Sequence, residues 1–154
     1  MSRLCCLLTL AFALATAALV YLFVIRGETA PASDGRMAVL MTPGERDLVL
    51  SEMRAFLIAL QTISQAVVDE DTVAVVTAAR QVGGSAQKGM PASLAGKLPL
   101  EFKRLGFDTH SRFDQLALNA EQFGDTAQVL PELATLMQNC IACHAAYRID
   151  PALP

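Results

Sequence analysis

The sequence predicts an all-α fold, an antiparallel four-helix bundle that follows an N-terminal transmembrane helix. Residues 4–25 form one uncharged apolar run, and apolar residues in the rest of the chain recur at helical spacings of three and four. No stretch reads as a strand bounded by turn signals. The 154 residues suffice for one domain and an appendage. We therefore divide the chain into an anchor at 1–26, a linker at 27–44 and a four-helix domain at 45–150.

The apolar run from Leu4 to Ile25 is long enough to cross a bilayer. As a helix it would extend about 33 Å, which matches the ~30 Å hydrocarbon core. A cleavable signal peptide is the alternative, with Arg3 as its charged start and residues 30–32 as a small-residue exit. Signal cores are usually shorter, about 7–15 apolar residues. We expect an anchor in a bacterial inner membrane, with the soluble domain facing the periplasm.

The segment after the anchor has the composition of a tether. Residues 27–44 are rich in Gly, Pro, Ala and Ser. Arg3 and Arg26 are the only basic residues before Gly27, so the remainder combines 10 of the 12 basic residues with all 15 acidic ones. Such an acidic chain lacks the basic face that nucleic-acid binding requires, and no nucleic-acid partner is expected.

Four amphipathic segments predict the helices of the bundle. Gly83 and Gly84 end the second segment. Residues 83–100 predict a long irregular connection. Gly106 ends a short helical turn before the third segment. Asp125 or Thr126 could cap the fourth. The apolar stripes are Val49, Met53, Phe56, Leu60, Ile63 and Val67; Val73, Val76 and Val82; Phe113, Leu116, Ala120 and Phe123; and Leu133, Met137, Cys140, His144 and Tyr147.

The fourth segment contains the motif that predicts chemistry. Cys140-Ile141-Ala142-Cys143-His144 matches the C-x-x-C-H pattern of covalent haem attachment. On a helix, two cysteines three residues apart present their sulfurs on one side, where they can add to the two haem vinyl groups. His144 then supplies an imidazole as axial ligand to the iron. The motif therefore predicts one covalently attached haem c. Our hypothesis for the whole chain is a one-electron carrier and not an enzyme.

Other interpretations of the two cysteines remain open. A thioredoxin-type dithiol stands beside a βαβ unit, and no strand is predicted before Cys140. A zinc site needs four ligands, and the only other histidine is His110, which we expect to be solvent-exposed at the polar start of the third helix. A disulfide between Cys140 and Cys143 would be strained within a helix. A haem-free dithiol or metal-binding helical module is thus the weaker alternative.

The run C-I-A-C-H-A-A-Y-R, on the last helix of four and near the C-terminus, resembles the cytochrome c′ family (class II c-type cytochromes). The resemblance covers about residues 45–149. It implies a left-turning antiparallel bundle with a haem between its helices, His144 as proximal ligand and Arg148 near the haem edge or its propionates. It also suggests a homodimer. The membrane anchor departs from the family, whose members are typically soluble and periplasmic.

The sixth ligand of the iron would decide what the haem does. A subset of the resembling family uses a methionine of the first helix, and Met53 lies on the inward stripe at about the matching place. The alternative role of Met53 is core packing, as we expect for Met137, while Met90 is a weaker candidate ligand. A thioether ligand would suit electron transfer, whereas an open iron would bind NO or CO.

Four basic residues surround the long connection, opposed locally only by Glu101. They are Lys88, Lys97, Lys103 and Arg104. They could dock an acidic redox partner protein, and the alternative is an ordinary solvated loop.

Overall fold

A computed structural model describes residues 2–124 and 126–152. Helix α1 spans Ser2–Val20 and continues as a π-helical segment over Tyr21–Arg26. The span Arg3–Arg26 has a mean hydropathy of 2.4 and no buried share, so its length and composition allow it to cross a membrane. A signal sequence would have the same properties. The predicted apolar N-terminal helix is thus confirmed as a helix.

The remaining helices agree with the predicted all-α class. They are α2 (Pro43–Val68), α3 (Thr72–Gln81), α4 (Ala92–Lys97), α5 (Leu100–Phe123) and α6 (Val129–Ala146), with short 3₁₀ segments at Gly84–Gly89 and Thr126–Gln128.

Side-chain caps define two of the helix starts. The Thr42 hydroxyl accepts from the Glu45 amide and the Glu45 carboxylate accepts from the Thr42 amide, which forms a capping box on α2. Asp71 caps α3 by accepting from the amide of Ala74 at 2.9 Å. Asp125, a predicted cap of α6, lies outside the described residues.

Four of these helices share one hydrophobic core. The contributions come from α2, α3, α5 and α6, and the predicted stripe of α2 turns inward around the fully buried Ile63. The small residues of α2 and α3 allow the helix backbones to approach closely. The core residues are Ala59, Ile63 and Ala66 of α2; Val75, Ala78 and Ala79 of α3; Val82; Phe113, Leu116, Ala117 and Ala120 of α5; and Val129, Leu133 and Leu136 of α6.

The connection between α3 and the third long helix is more regular than predicted. Residues 83–100 contain a 3₁₀ segment and α4, and α5 begins at Leu100 and runs through Gly106 without a break. A glycine inside a helix costs only about 1 kcal/mol relative to alanine. Burial of Phe102 in the first turn of α5 offsets this cost.

The structure also contains a three-stranded sheet, and the prediction that no strand is present was wrong. The strands are β1 (Thr29–Pro31), β2 (Met37–Met41) and β3 (Tyr147–Pro151). Strand β2 pairs antiparallel with β1 and parallel with β3, with Val39 opposite Ile149. The strand β3 follows α6 directly, so the sheet joins the two ends of the folded domain.

Strand β2 is the centre of a second core. Ala38, Val39 and Met41 are each at most 2% exposed. The strand packs with Val49 of α2, Leu94 of α4, Phe102 of α5 and with Leu98, which follows α4. Residues 27–44 are therefore mostly ordered structure of the domain rather than the flexible tether that their composition predicted.

The end of the anchor lies against α4 and α5. Gly27 has φ +63°, and a Cβ at this position would collide with the carbonyl oxygen of Lys97. The Glu28 amide donates to that same carbonyl at 2.7 Å. Nζ of Lys103 lies 3.4 Å from the carbonyl oxygens of Phe23 and Val24. These contacts fix the end of the apolar N-terminal helix on one side of the folded domain.

Candidate functional site

Four of the five predicted site residues line one cavity of about 200 Å³. The cavity lies between the first half of α2, the end of α6 and β3. Met53, Cys143, His144 and Arg148 are its predicted members, and Cys140 lies outside its lining. The other lining residues are Arg36, Arg46, Leu50, Phe102, Tyr147 and Ile149. The fold thus gathers residues from positions 36 to 149 around the end of the C-x-x-C-H helix.

The buried face of α6 differs from the predicted one. Leu133 and Leu136 are buried, whereas Met137 is 38% exposed and His144 is exposed. The expectation that Met137 and His144 share the buried face with Leu133 was therefore wrong. A second stripe on α6, which runs through Leu136 and Cys143, also has spacings of three and four. Packing against the neighbouring helices buries this second stripe.

The motif cysteines are uncharged thiols in a half-buried environment. Neither of them forms a disulfide. Burial raises the pKa of Cys140, and burial together with the neighbouring Cys140 raises the pKa of Cys143 to about 11. Reactive dithiols use thiolates, which a raised pKa disfavours. Within the described residues, no three His, Cys, Asp or Glu side chains are grouped closely enough to hold a metal ion.

Arg36 anchors the last turn of α6. Its Nη1 donates to the carbonyl oxygens of His144 and Tyr147, both at 3.3 Å. The cation therefore stabilises the negative end of the helix dipole. Its Nη2 pairs with Asp34 at 2.7 Å, and the hydrogen bonds from the Arg36 side chain and amide lower the pKa of Asp34 to about 2.

Three guanidinium groups face the cavity. Arg148 pairs with Asp150 at 2.8 Å and more weakly with Asp34 at 3.4 Å. Arg46 has no ion-pair partner among the described residues. Guanidinium groups form paired hydrogen bonds with carboxylates, so the cavity suits a group that carries acidic substituents.

A second, larger cavity of about 310 Å³ lies between α2, α5 and the connection that contains α4. Its lining is mainly apolar and includes Phe56, a member of the predicted stripe of α2, and Met90, the weaker candidate ligand. Met90 is absent from the lining of the smaller cavity, whereas Phe102 lines both cavities. The structure therefore brings Met53, but not Met90, together with Cys143 and His144.

His110 lies on the wall of the larger cavity, and its predicted exposure was wrong. It is 2% exposed, with Nδ1 2.7 Å from the Val82 carbonyl oxygen and Nε2 3.1 Å from Oε1 of Glu52. Burial lowers the pKa of His110, but the hydrogen bonds to Glu52 and Val82 outweigh it, and the net shift is upward. Because both ring nitrogens lie near oxygen acceptors, the protonated imidazolium form can donate a hydrogen bond to each of them.

The predicted basic docking patch is largely occupied by contacts within the chain. Nζ of Lys97 pairs with Glu45 at 2.9 Å, and Arg104 pairs with Glu101 at 2.8 Å. Lys103 faces the carbonyl oxygens at the end of the anchor. Only the exposed Lys88 of this group has no ion pair or side-chain hydrogen bond among the described residues. These contacts weaken the case for a docking surface at this position.

A comparison of the chain with protein-family models, curated proteins and solved structures gives no match.

Proposed function

We propose that the chain is a membrane-anchored monohaem c-type cytochrome of the cytochrome c′ type, which transfers single electrons without substrate chemistry of its own. In this proposal α2, α3, α5 and α6 form an antiparallel four-helix bundle in the periplasm, attached to a bacterial inner membrane by α1. One observation carries the proposal. Cys143 and His144 of the C-x-x-C-H motif line a single cavity together with Met53 and three arginines.

The residues around this cavity fit the chemical groups of haem c. The thiols of Cys140 and Cys143 would each add across one vinyl group, with sulfur bonding one carbon and hydrogen the other. His144 would ligate the iron, and the thioether of Met53 is the candidate sixth ligand. Arg46, which has no ion-pair partner among the described residues, suits a propionate, whereas Arg36 and Arg148 already pair with Asp34 and Asp150. When bound, haem supplies a reversible one-electron Fe(III)/Fe(II) couple.

The volume of the cavity and its opening to solvent determine how a haem would be accommodated. Its 200 Å³ is below the range of about 300–1,000 Å³ that is common for ligand sites. The exposed His144 and the partly exposed Arg148 show that it opens to solvent. A porphyrin held here would extend beyond the enclosed space, and an exposed edge is what a carrier needs for electron exchange.

The state of the thiols favours haem attachment over a catalytic dithiol. Catalytic dithiols have lowered thiol pKa values, whereas burial raises those of Cys140 and Cys143. Thioether formation consumes the neutral thiol group and leaves no charge on sulfur.

Haem staining of a denaturing gel tests the proposal. The full chain, produced with a haem-attachment system and boiled in detergent, is stained for haem peroxidase activity. We expect a stained band for the wild type and none for the double variant Cys140→Ser/Cys143→Ser. The matched control Cys5→Ser/Cys6→Ser changes the two cysteines of α1 and should stain as the wild type does. An unstained wild-type band would refute the proposal.

A further inference from the structure

The larger cavity has the volume and lining of a site for an apolar molecule. Its 310 Å³ lies within the usual range for ligand sites. Leu48, Leu94 and Phe107 are among its apolar lining residues. On α5, Gly106 leaves the wall open, because a Cβ at this position would meet no atom within 4 Å. The smaller cavity shares only Phe102 with it, so a ligand here would occupy a site distinct from the C-x-x-C-H motif.

One side of this cavity presents a charged hydrogen-bond acceptor. Glu52 lines the cavity, is one-third exposed and contacts His110 through Oε1. Its Oε2 has no hydrogen-bond donor among the described residues. His110 uses both ring nitrogens within the protein. A ligand bearing a hydroxyl group could therefore donate to Oε2 of Glu52.

Another part of the cavity lining adjoins the end of the apolar N-terminal helix. Lys103 lines the cavity and its Nζ faces the carbonyl oxygens of Phe23 and Val24. Leu98 also lines the cavity, and the preceding carbonyl of Lys97 accepts from the Glu28 amide. The cavity wall is thus attached to the point at which the apolar helix ends, so a ligand could enter from the bilayer surface.

From these three features we infer that the larger cavity binds a membrane-soluble quinol. The quinol ring occupies the apolar space between α2 and α5, one ring hydroxyl donates to Glu52, and the apolar tail extends past Lys103 towards the bilayer. The inference depends on α1 anchoring the chain in a membrane. It does not depend on haem attachment, so the two proposals can fail separately.

Binding of a redox-inert quinol analogue tests this inference. The full chain in lipid nanodiscs is titrated with 2-heptyl-4-hydroxyquinoline N-oxide, and quenching of the probe fluorescence is followed. Empty nanodiscs correct for partition of the probe into lipid. We expect saturable binding to the wild type.

Two variants address the cavity from different sides. Gly106→Leu fills the open space on α5, and it should abolish saturable quenching while leaving the circular dichroism spectrum and melting temperature of the protein intact. Glu52→Gln keeps the size of the side chain but removes its charge. It should weaken binding about tenfold, since hydrogen bonds to charged groups contribute more than neutral ones. The control Glu121→Gln makes the same change on the exposed surface of α5 and should bind as the wild type does.

The outcomes separate the candidate occupants. Equal quenching by wild type, Gly106→Leu and empty nanodiscs would overturn the inference. Loss of binding in Gly106→Leu with no effect of Glu52→Gln would also overturn it, because the cavity would then accept any apolar chain. Haem staining of the same samples reports independently on the proposed cytochrome function.

Discussion

Arg36 donates from Nη1 to the carbonyl oxygen of His144 across 3.3 Å. This contact connects the segment that follows the anchor with the last turn of the helix that carries the C-x-x-C-H motif. Strand β2, which begins at the next residue, pairs with β3 directly after α6. The position of His144 therefore depends on residues that lie more than 100 positions earlier in the chain.

Replacement of Arg36 by alanine should destabilise the end of α6. The variant loses the bonds to the His144 and Tyr147 carbonyls and the pair with Asp34. We expect a loss of about 1–2 kcal/mol in the free energy of unfolding, measured by urea denaturation of the full chain in detergent. Arg104→Ala, which removes an exposed pair with Glu101, should change it by less than about 0.5 kcal/mol. Equal effects of the two variants would contradict the role assigned to Arg36.

A charged residue introduced into β2 by substitution tests whether residues 27–44 belong to the folded domain. Val39 is fully buried, whereas Met37 in the same strand is 38% exposed. Val39→Asp should cost about 3 kcal/mol or more, because it buries an unpaired carboxylate, and Met37→Asp should cost about 1 kcal/mol or less. Urea denaturation of both variants provides the measurement. A flexible tether would tolerate both substitutions alike.

The pair of His110 and Glu52 predicts a pH dependence of stability. The folded pKa of His110 is raised, so the stabilisation is complete below the unfolded value of 6.5 and is lost as the pH rises through the folded pKa. We expect the urea midpoint of the wild type to fall between pH 6 and pH 8.5. Glu52→Gln should lower the midpoint at pH 6 and flatten the profile. A profile of Glu52→Gln that runs parallel to the wild type would refute this explanation.

The proposed ligation of the iron by Met53 predicts how the reduced protein responds to carbon monoxide. If its thioether occupies the sixth position of the iron, the visible spectrum of the reduced wild type should barely change when CO is added. Met53→Ala should open that position and produce a clear CO-difference spectrum. Met137→Ala, a change at an exposed methionine of α6, serves as the control. A wild type that already binds CO strongly would remove Met53 from the ligand set and favour a gas-binding protein.

The sequence predicts those features that depend on local spacing. Apolar residues at spacings of three and four located α2, α3 and α6. On α6 the same periodicity admits two stripes, and packing against α2 and α5 decides between them. That choice turns Cys143 inward and leaves Met137 and His144 outward.

The features that the sequence does not reveal depend on distant contacts. Strand β2 is covered on both faces, so Met37–Met41 is a continuous apolar run without the alternation that marks a half-exposed strand. Its five apolar residues, bounded by Gly35 and Pro43, were the available signal. Glu52 and His110 lie 58 positions apart, and no local pattern connects them. For the same reason, the sequence did not identify Arg36 and Arg46 as lining residues of the smaller cavity.

Intact mass spectrometry of the full chain, purified from membranes of a host that attaches haem c, tests the central claim most directly. We expect the mass of the chain plus one haem, retained under denaturing conditions, with the added mass located on a peptide that contains Cys140 and Cys143. A chain with two free thiols at these positions and no added porphyrin mass would contradict the account.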